Sequence, residues 1–255
     1  MKDLKYNTYE KKQPIIEISK VIQGEAGWTG KPCFLIRTTG CVMRCCWGIT
    51  PCDSWYTSHK PEKGNKCLGD LVEAIRANPQ IRHMFLTGGS PSMHLKLMTD
   101  INIICENYGI KTAIETEGST IFDEKYDYVV ISPKLTTSIP TPGLYVPTLD
   151  RELTEKDKVR HEKYRWNPEA IKHLLNNNDN VELKFVCNDK SDWFEIQAMQ
   201  HDLGVPNSQI WLMPMGATEK QLQSRRKWIE RLCIDEGYNY TDRLHIIIHG
   251  DKRGV

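Results

Sequence analysis

The sequence predicts an α/β protein built on a parallel β-sheet or barrel, on three observations. Apolar strand-like runs alternate with amphipathic helix-like segments along most of the chain, the pattern that lays helices over a parallel sheet. Several runs are continuously apolar, such as Tyr128–Ser132 (YVVIS) and Leu244–His249 (LHIIIH), as strands covered on both faces require. The length of 255 residues suits one barrel-sized unit, and 39% hydrophobic with 26% charged residues is ordinary composition for a core and its surface.

Taken in order, the expected strands are Ile15–Ile22, Cys33–Thr38, His83–Thr87, Lys111–Thr116, Tyr128–Ser132, Val181–Cys187, Gln209–Met213 and Leu244–His249. Each is a short run rich in Val, Ile or other apolar residues. Between them, helical periodicity covers Leu68–Ala77, Met93–Asn107, Pro168–Asn176, Trp193–Leu203 and Glu219–Glu236. Gly237 follows the last and longest of these as a C-terminal cap. The rhythm breaks at residues 136–167, where SIPTPG leads into the charged run DRELTEKDKVRHEKYR. We read this stretch as a solvated excursion, partly helical, and its His161 and Arg165 as surface residues; a lid or a subunit contact is the sharper alternative. No internal repeat or low-complexity tract interrupts residues 1–255, which read as a single domain.

A formal net charge of +1 sets up no large field to draw the chain to nucleic acid or anionic lipid, so neither is expected as a partner. No apolar run approaches the ~20 residues that span a bilayer, and the opening MKDLKYNTYEKKQP lacks the apolar core of a signal peptide. Nine cysteines is a high and odd number for such a chain. In a reducing compartment that pattern favours metal binding over a disulfide framework, so the chain reads as a cytoplasmic metalloprotein.

Four of those cysteines fall between positions 41 and 52, in GCVMRCCWGITPCDS. Thiolates hold zinc or iron–sulfur clusters. Zinc would need a fourth ligand, and His59 or Cys67 could supply it beside Cys41, Cys45 and Cys52. Buried free cysteines are a further alternative, though four so close in a loop with Gly and Pro argue against core packing. The third option is a 4Fe–4S cluster on three cysteines, with one iron left open to a ligand from outside the protein. Adjacent side chains in extended backbone point to opposite sides, so Cys45 and Cys46 would not serve one site.

The loop follows the strand CFLIRTTG and resembles the radical S-adenosylmethionine signature Cys-x3-Cys-x2-Cys. Cys41 and Cys45 fit it directly, and the four residues GITP lengthen the gap before Cys52. LTGGSP (Leu86–Pro91) resembles the Gly-Gly-Glu-Pro motif that meets the methionine part of S-adenosylmethionine, with Ser90 in place of the glutamate. IETEGS and VVISPK end two further strands, putting Thr116, Ser132, Pro133 and Lys134 where barrel sites are built. With VIQGEAGWTGKPCFLIRTTGC near the start, LKFVCNDKSDW, WLMPMGAT and the closing RRKWIERLCIDEGYNYTDRLHIIIHGDKRGV, the chain resembles the 7-carboxy-7-deazaguanine synthases over nearly its whole length.

That resemblance implies a partial, open parallel β/α barrel of the radical S-adenosylmethionine type. It implies conversion of 6-carboxy-5,6,7,8-tetrahydropterin to 7-carboxy-7-deazaguanine with loss of ammonia, a carbon–nitrogen lyase reaction of the queuosine (7-deazapurine) pathway. The cofactors would be a 4Fe–4S cluster on Cys41, Cys45 and Cys52, S-adenosylmethionine and Mg2+. A 5′-deoxyadenosyl radical would abstract hydrogen before ring contraction. Flavodoxin or ferredoxin would deliver the electron to a homodimer.

Position by position, Ile22, Gln23, Gly24, Arg37, Thr87 and His245 would bind substrate. Arg37 would pair with its carboxylate, a task that suits a planar fork. Trp47, Cys52, Asp53, Gly88, Gly89, Thr116, Ser132, Pro133 and Lys134 would line the cofactor, with Met213 and Pro214 near its adenine. Ser54 falls where the family places a hydroxyl ligand to Mg2+. His245 reads equally as a core histidine, and the chain end Lys252–Val255 would close over substrate. Glu25 has no assignment, and Ala26 replaces the family's glycine. A different small enzyme of the superfamily, such as an activase, and a zinc-stabilised binding module are the alternatives.

Overall fold

The computed structural model describes residues 9–250, 252 and 253. Its strands are β1 (Ile15–Ile22), β2 (Pro32–Thr38), β3 (Cys46–Trp47), β4 (Thr50–Pro51), β5 (His83–Gly88), β6 (Lys111–Thr116), β7 (Tyr128–Ile131), β8 (Tyr145–Val146), β9 (Arg151–Glu152), β10 (Val181–Cys187), β11 (Ile210–Pro214) and β12 (Asn239–Tyr240). Eight of them form one sheet in the order β1-β2-β5-β6-β7-β10-β11-β12. Each strand joins the edge left by its predecessor, the progression of a barrel, and β1 and β12 do not pair, so the barrel stays open. From β2 to β12 the pairs are parallel. The first pair departs from the all-parallel expectation: β1 runs antiparallel to β2, joined by a short connection that leaves no room for a crossover.

Period-two alternation along the strands decides which residues meet the core and which meet the site. Phe34, Ile36, Met84, Leu86, Ile114, Val129, Ile131, Leu183, Phe185, Ile210 and Leu212 point outward into the main core. The helices Leu68–Ala77, Leu95–Tyr108, Pro168–Asn177, Asp192–Leu203 and Glu219–Glu236 cover them, contributing Leu71, Ile101, Leu174, Ile196 and Ile229 among others. Each such fully buried side chain stabilises the fold by about 1.5–3 kcal/mol. The opposite face starts with a small apolar plug of Ala26, Trp28, Cys33, Leu35, Phe85, Ala113, Tyr128 and Val130. Further along the same face come Arg37, Thr87, Glu115, Ser132 and Lys184, in step with that plug and lining a cavity.

Two expectations are overturned. Leu244–His249 is a helix rather than the final strand. A six-residue apolar run carries too little periodicity to separate the two. Here Leu244 N–H donates to Gly24 O, 3.0 Å, turning the chain back across the loop after β1, with Ile246 buried and Ile247 and Ile248 exposed. The edge of the sheet is closed instead by the short strand β12.

The stretch 136–167 is not a solvated excursion. Its β8–β9 hairpin carries Val146, Leu149 and Leu153 into a third apolar cluster with Cys46, flanked by Leu144 and Trp55. The helix Glu155–Tyr164 follows, started by a capping box in which Thr154 and Asp157 each bond the other's backbone N–H. Its inner face is polar, which hid its burial from the hydropathy pattern. His161 is fully buried, its Nδ1 accepting from Arg44 N at 3.2 Å and its Nε2 3.1 Å from Ser138 Oγ. Arg160 donates to Val42 O and Cys41 O. Arg165 is paired with Glu195 Oε1 at 2.5 Å rather than loose on the surface.

Candidate active site

The insertion GITP resolves into a hairpin. Cys46 pairs with Pro51 and Trp47 with Thr50, while Gly48 takes the positive φ of 61° that the two-residue turn demands. Because the hairpin returns on itself, the added residues separate nothing: Cys52 N donates to Cys45 O at 3.1 Å. Cys41, Cys45 and Cys52 line one cavity, and Cys46 lies on the other side of the hairpin in the third apolar cluster, its thiol donating to Gly48 O at 3.0 Å. Cys46 is thus a packing residue.

Burial pushes all three cavity thiols up, Cys45 to about 12, and the negative groups nearby add to the effect. Cys45 and Cys52 also feel one another and Cys41, so ionising one opposes ionising the next. Thiolates here need a bound cation to replace their protons, which is the chemistry of an iron–sulfur cluster on three cysteines. The proposed zinc partners are elsewhere. Cys67 is the N-cap residue of the helix Leu68–Ala77, and His59 bonds Cys45 O through Nε2 and faces Arg151 through Nδ1. Among the described residues no group of three or more His, Cys, Asp or Glu side chains is arranged to hold a single metal ion.

The cavity, of about 490 Å³, has the size of a small-molecule site. Its walls include Ile22, Gln23, Gly24, Arg37, Trp47, Asp53, Ser54, Thr87, Gly88, Gly89, Thr116, Ser132, Lys134, Met213, Pro214 and His245 with the three cysteines. Of the residues singled out from sequence, Pro133 is the exception: it is buried and does not line the cavity. Of the chain end, Lys252 and Arg253 line the cavity, while Gly254 and Val255 lie outside the described residues.

Local geometry explains several of these placements. Gly89 lies against the cysteine loop so closely that a Cβ there would stand 1.9 Å from Gly40 O. A Cβ on Gly24 would stand 2.4 Å from His245 Nδ1, so the loop after β1 meets the helix Leu244–His249 this closely because that position is glycine. Gln23, nearly buried, accepts from Gly24 N through Oε1 at 2.8 Å, leaving its amide N–H groups to donate. Ala26 adopts φ 59° despite its methyl group, held by its N–H to Thr241 Oγ1 at 2.8 Å, so the family's glycine is dispensable here. Buried polar atoms without a protein partner stand in the lining: Trp47 Nε1, Ser58 Oγ and Glu117 Oε2.

A chain of alternating charges runs along the wall, and sequence reading missed most of it. Lys184, 2% exposed, reaches Glu25 Oε2 at 2.5 Å and Glu115 Oε1 at 2.6 Å. Arg243 joins Glu25 Oε1 at 3.0 Å to Asp53 and to Gly216 O. Arg37 extends the chain from Ser54 Oγ, 3.1 Å, to Glu17 Oε2, 3.2 Å. Burial alone would raise the Glu25 and Asp53 carboxyls. The cations outweigh it: Lys184 and Arg243 for Glu25, Arg243 and Arg37 for Asp53, and both carboxyls sit well below the usual range. The wall therefore presents fixed, fully paired charges to a polar ligand. The signal was there: Glu115 and Lys184 interrupt apolar strands at inward positions, where a charge needs a partner or a ligand.

Ser54 offers little to Mg2+ alone. Its hydroxyl already accepts from Arg37, and the neighbouring Asp53 is held by Arg243. Substrate oxygens would have to complete any magnesium site.

No protein-family model matches the chain. A 7-carboxy-7-deazaguanine synthase of Halobacterium salinarum is 32% identical over 244 residues, covering 93% of this chain and 91% of the relative. The chain belongs to the 7-carboxy-7-deazaguanine synthase family. The synthase of Rhodopirellula baltica, 31% identical over 233 residues, covers 91% of the chain and 85% of its own. The crystal structure of QueE from Escherichia coli shares the fold, with a TM-score of 0.60 at 21% identity over 94% of this chain and 97% of that one. Membership of this family makes the chain a radical S-adenosylmethionine lyase of queuosine biosynthesis. Among the described residues no helix is long and apolar enough to cross a membrane.

Proposed function

We propose that the chain converts 6-carboxy-5,6,7,8-tetrahydropterin to 7-carboxy-7-deazaguanine and ammonia, with Mg2+ completed by substrate oxygens at Ser54. One observation carries this reading: the three cavity thiols and the substrate-type donors Gln23, Arg37 and Thr87 open into the same cavity. When bound, the 4Fe–4S cluster and S-adenosylmethionine supply the hydrogen-abstracting radical. The chain's own residues bind and orient. Arg37, held at two of its nitrogens by Glu17 and Ser54, presents its guanidinium to the substrate carboxylate. Gln23 donates its amide N–H groups to the pterin edge, and Thr87 borders the same space. His245, whose pKa burial lowers, packs against Gly24 at the cavity wall. Lys134, bonded to Ser132 Oγ at 2.7 Å, stands on the cofactor side with Gly89, Met213 and Pro214.

This reading takes its electron from flavodoxin or ferredoxin and places the enzyme, as a homodimer, in the cytoplasm. The test is anaerobic incubation of the iron-reconstituted protein with the carboxytetrahydropterin, S-adenosylmethionine, Mg2+ and reductant. Mass detection should find the deazaguanine acid. Cofactor cleavage without that product would point to another substrate, and a colourless protein holding zinc would refute the reading.

A further inference from the structure

The Gly-Gly-Ser-Pro turn lacks the acidic residue that the family motif carries, and Ser90 cannot replace its charge. Ser90 is fully buried, and its hydroxyl donates to Cys41 Sγ at 3.3 Å while accepting from Val42 N at 3.2 Å. A carboxylate does stand beside the same turn, delivered from the end of the neighbouring strand. Glu117 follows β6, is 5% exposed, and lines the cavity. Its Oε1 accepts from Ser119 Oγ at 2.6 Å and from Ser92 Oγ at 3.4 Å, and Ser92 belongs to the turn that follows Ser90. Its Oε2 is buried with no partner.

A carboxylate oxygen left bare in a buried site is costly unless an N–H donor reaches it. We propose that Glu117 is the acidic partner of the α-amino group of S-adenosylmethionine, replacing the glutamate that Ser90 displaced. The ligand's amino-acid end carries one group that donates and one that is anionic. The site offers a group for each: Glu117 and Lys134 both line the cavity with the three cysteines. Ser119 and Ser92 hold one carboxylate oxygen so that the other faces the ligand.

The inference rests on the cofactor reading above, and the experiment separates the two. Binding is measured anaerobically by calorimetry on the iron-reconstituted protein, with S-adenosylmethionine and with its analogue lacking the α-amino group. Wild-type protein that binds neither refutes the cofactor reading itself. Glu117→Gln keeps the size and the acceptor for Ser119 but loses the charge. It should weaken S-adenosylmethionine about ten- to a hundred-fold, the worth of a charge-assisted hydrogen bond, and leave the analogue unchanged. Equal weakening of both ligands, or affinity within about two-fold of wild type, overturns the role of Glu117 and leaves the cofactor reading standing. Should Glu117→Gln fail to fold, Glu117→Asp decides: retreat by one methylene should weaken S-adenosylmethionine over its analogue, and no change in that ratio overturns the proposal.

Discussion

Replacing His161 by Gln tests how the segment 136–167 is fastened to the cysteine loop. The imidazole is fully buried and neutral: Nδ1 accepts from Arg44 N–H, and Nε2–H is left to donate to Ser138 Oγ. Protonation would remove the acceptor for Arg44 and put a bare charge in the interior. Burial, with Lys134, Arg165 and His59 adding to it, pushes the pKa down to about 3. In the unfolded chain the same group titrates near ~6.5. Between these values the unfolded state holds a proton that the folded state refuses, so stability falls as pH falls.

At pH 5 the difference is roughly 1.5 pH units, or about 2 kcal/mol. For a chain of this size that is a fall in Tm of about 4–8 °C. Gln offers an oxygen to Arg44 N–H and an N–H to Ser138 without titrating. Calorimetric Tm values at pH 7 and 5 should therefore drop more in the wild type than in His161→Gln, by that margin. The carboxylates titrate alike in both proteins and cancel. Parallel curves would refute the argument that this histidine is kept neutral by burial.

Cys41→Ala, Cys45→Ala and Cys52→Ala should each abolish iron binding and turnover, read as iron per chain after reconstitution. Cys46→Ala should keep both and lose only packing, about 1–2 kcal/mol or a fall in Tm of about 2–8 °C; an iron-free Cys46→Ala beside an iron-replete Cys52→Ala would reverse the assignment. Lys184→Met should strand Glu25 and Glu115 without their shared cation, costing roughly 3–5 kcal/mol and about 10 °C in Tm, and an unchanged melting curve would deny the pairing its weight. Arg37→Ala should raise the KM for the pterin about ten- to a hundred-fold while reductant-driven cleavage of S-adenosylmethionine persists. Loss of cleavage as well would make Arg37 structural.

The strand–helix alternation, most element limits and the cysteine triad were legible because each is local. Apolar runs, capping residues and ligand spacing depend on neighbours in the chain. The residues carried over from the family resemblance also fell on one cavity, apart from Pro133, since strand ends in a parallel sheet converge whatever the loops between them do. Other features were illegible for definite reasons. LHIIIH is too short for its period to distinguish helix from strand. The segment 136–167 looks solvated because its helix buries the polar Asp157 and His161, which meet Arg44 of the cysteine loop.

The sequence by itself determined which side chains are available and which face of each strand they occupy: three thiols on one loop, charges at inward positions of β6 and β10, and glycines where chains must touch. Only the tertiary structure decided which partners they meet. Lys184 is separated from Glu25 by 159 positions, and Arg243 from Asp53 by 190, so no local pattern could pair them. The same holds for Cys46 and Cys52, two thiols of one loop. The hairpin's return, and the apolar cluster waiting behind it, send the first into the core and leave the second facing the cavity.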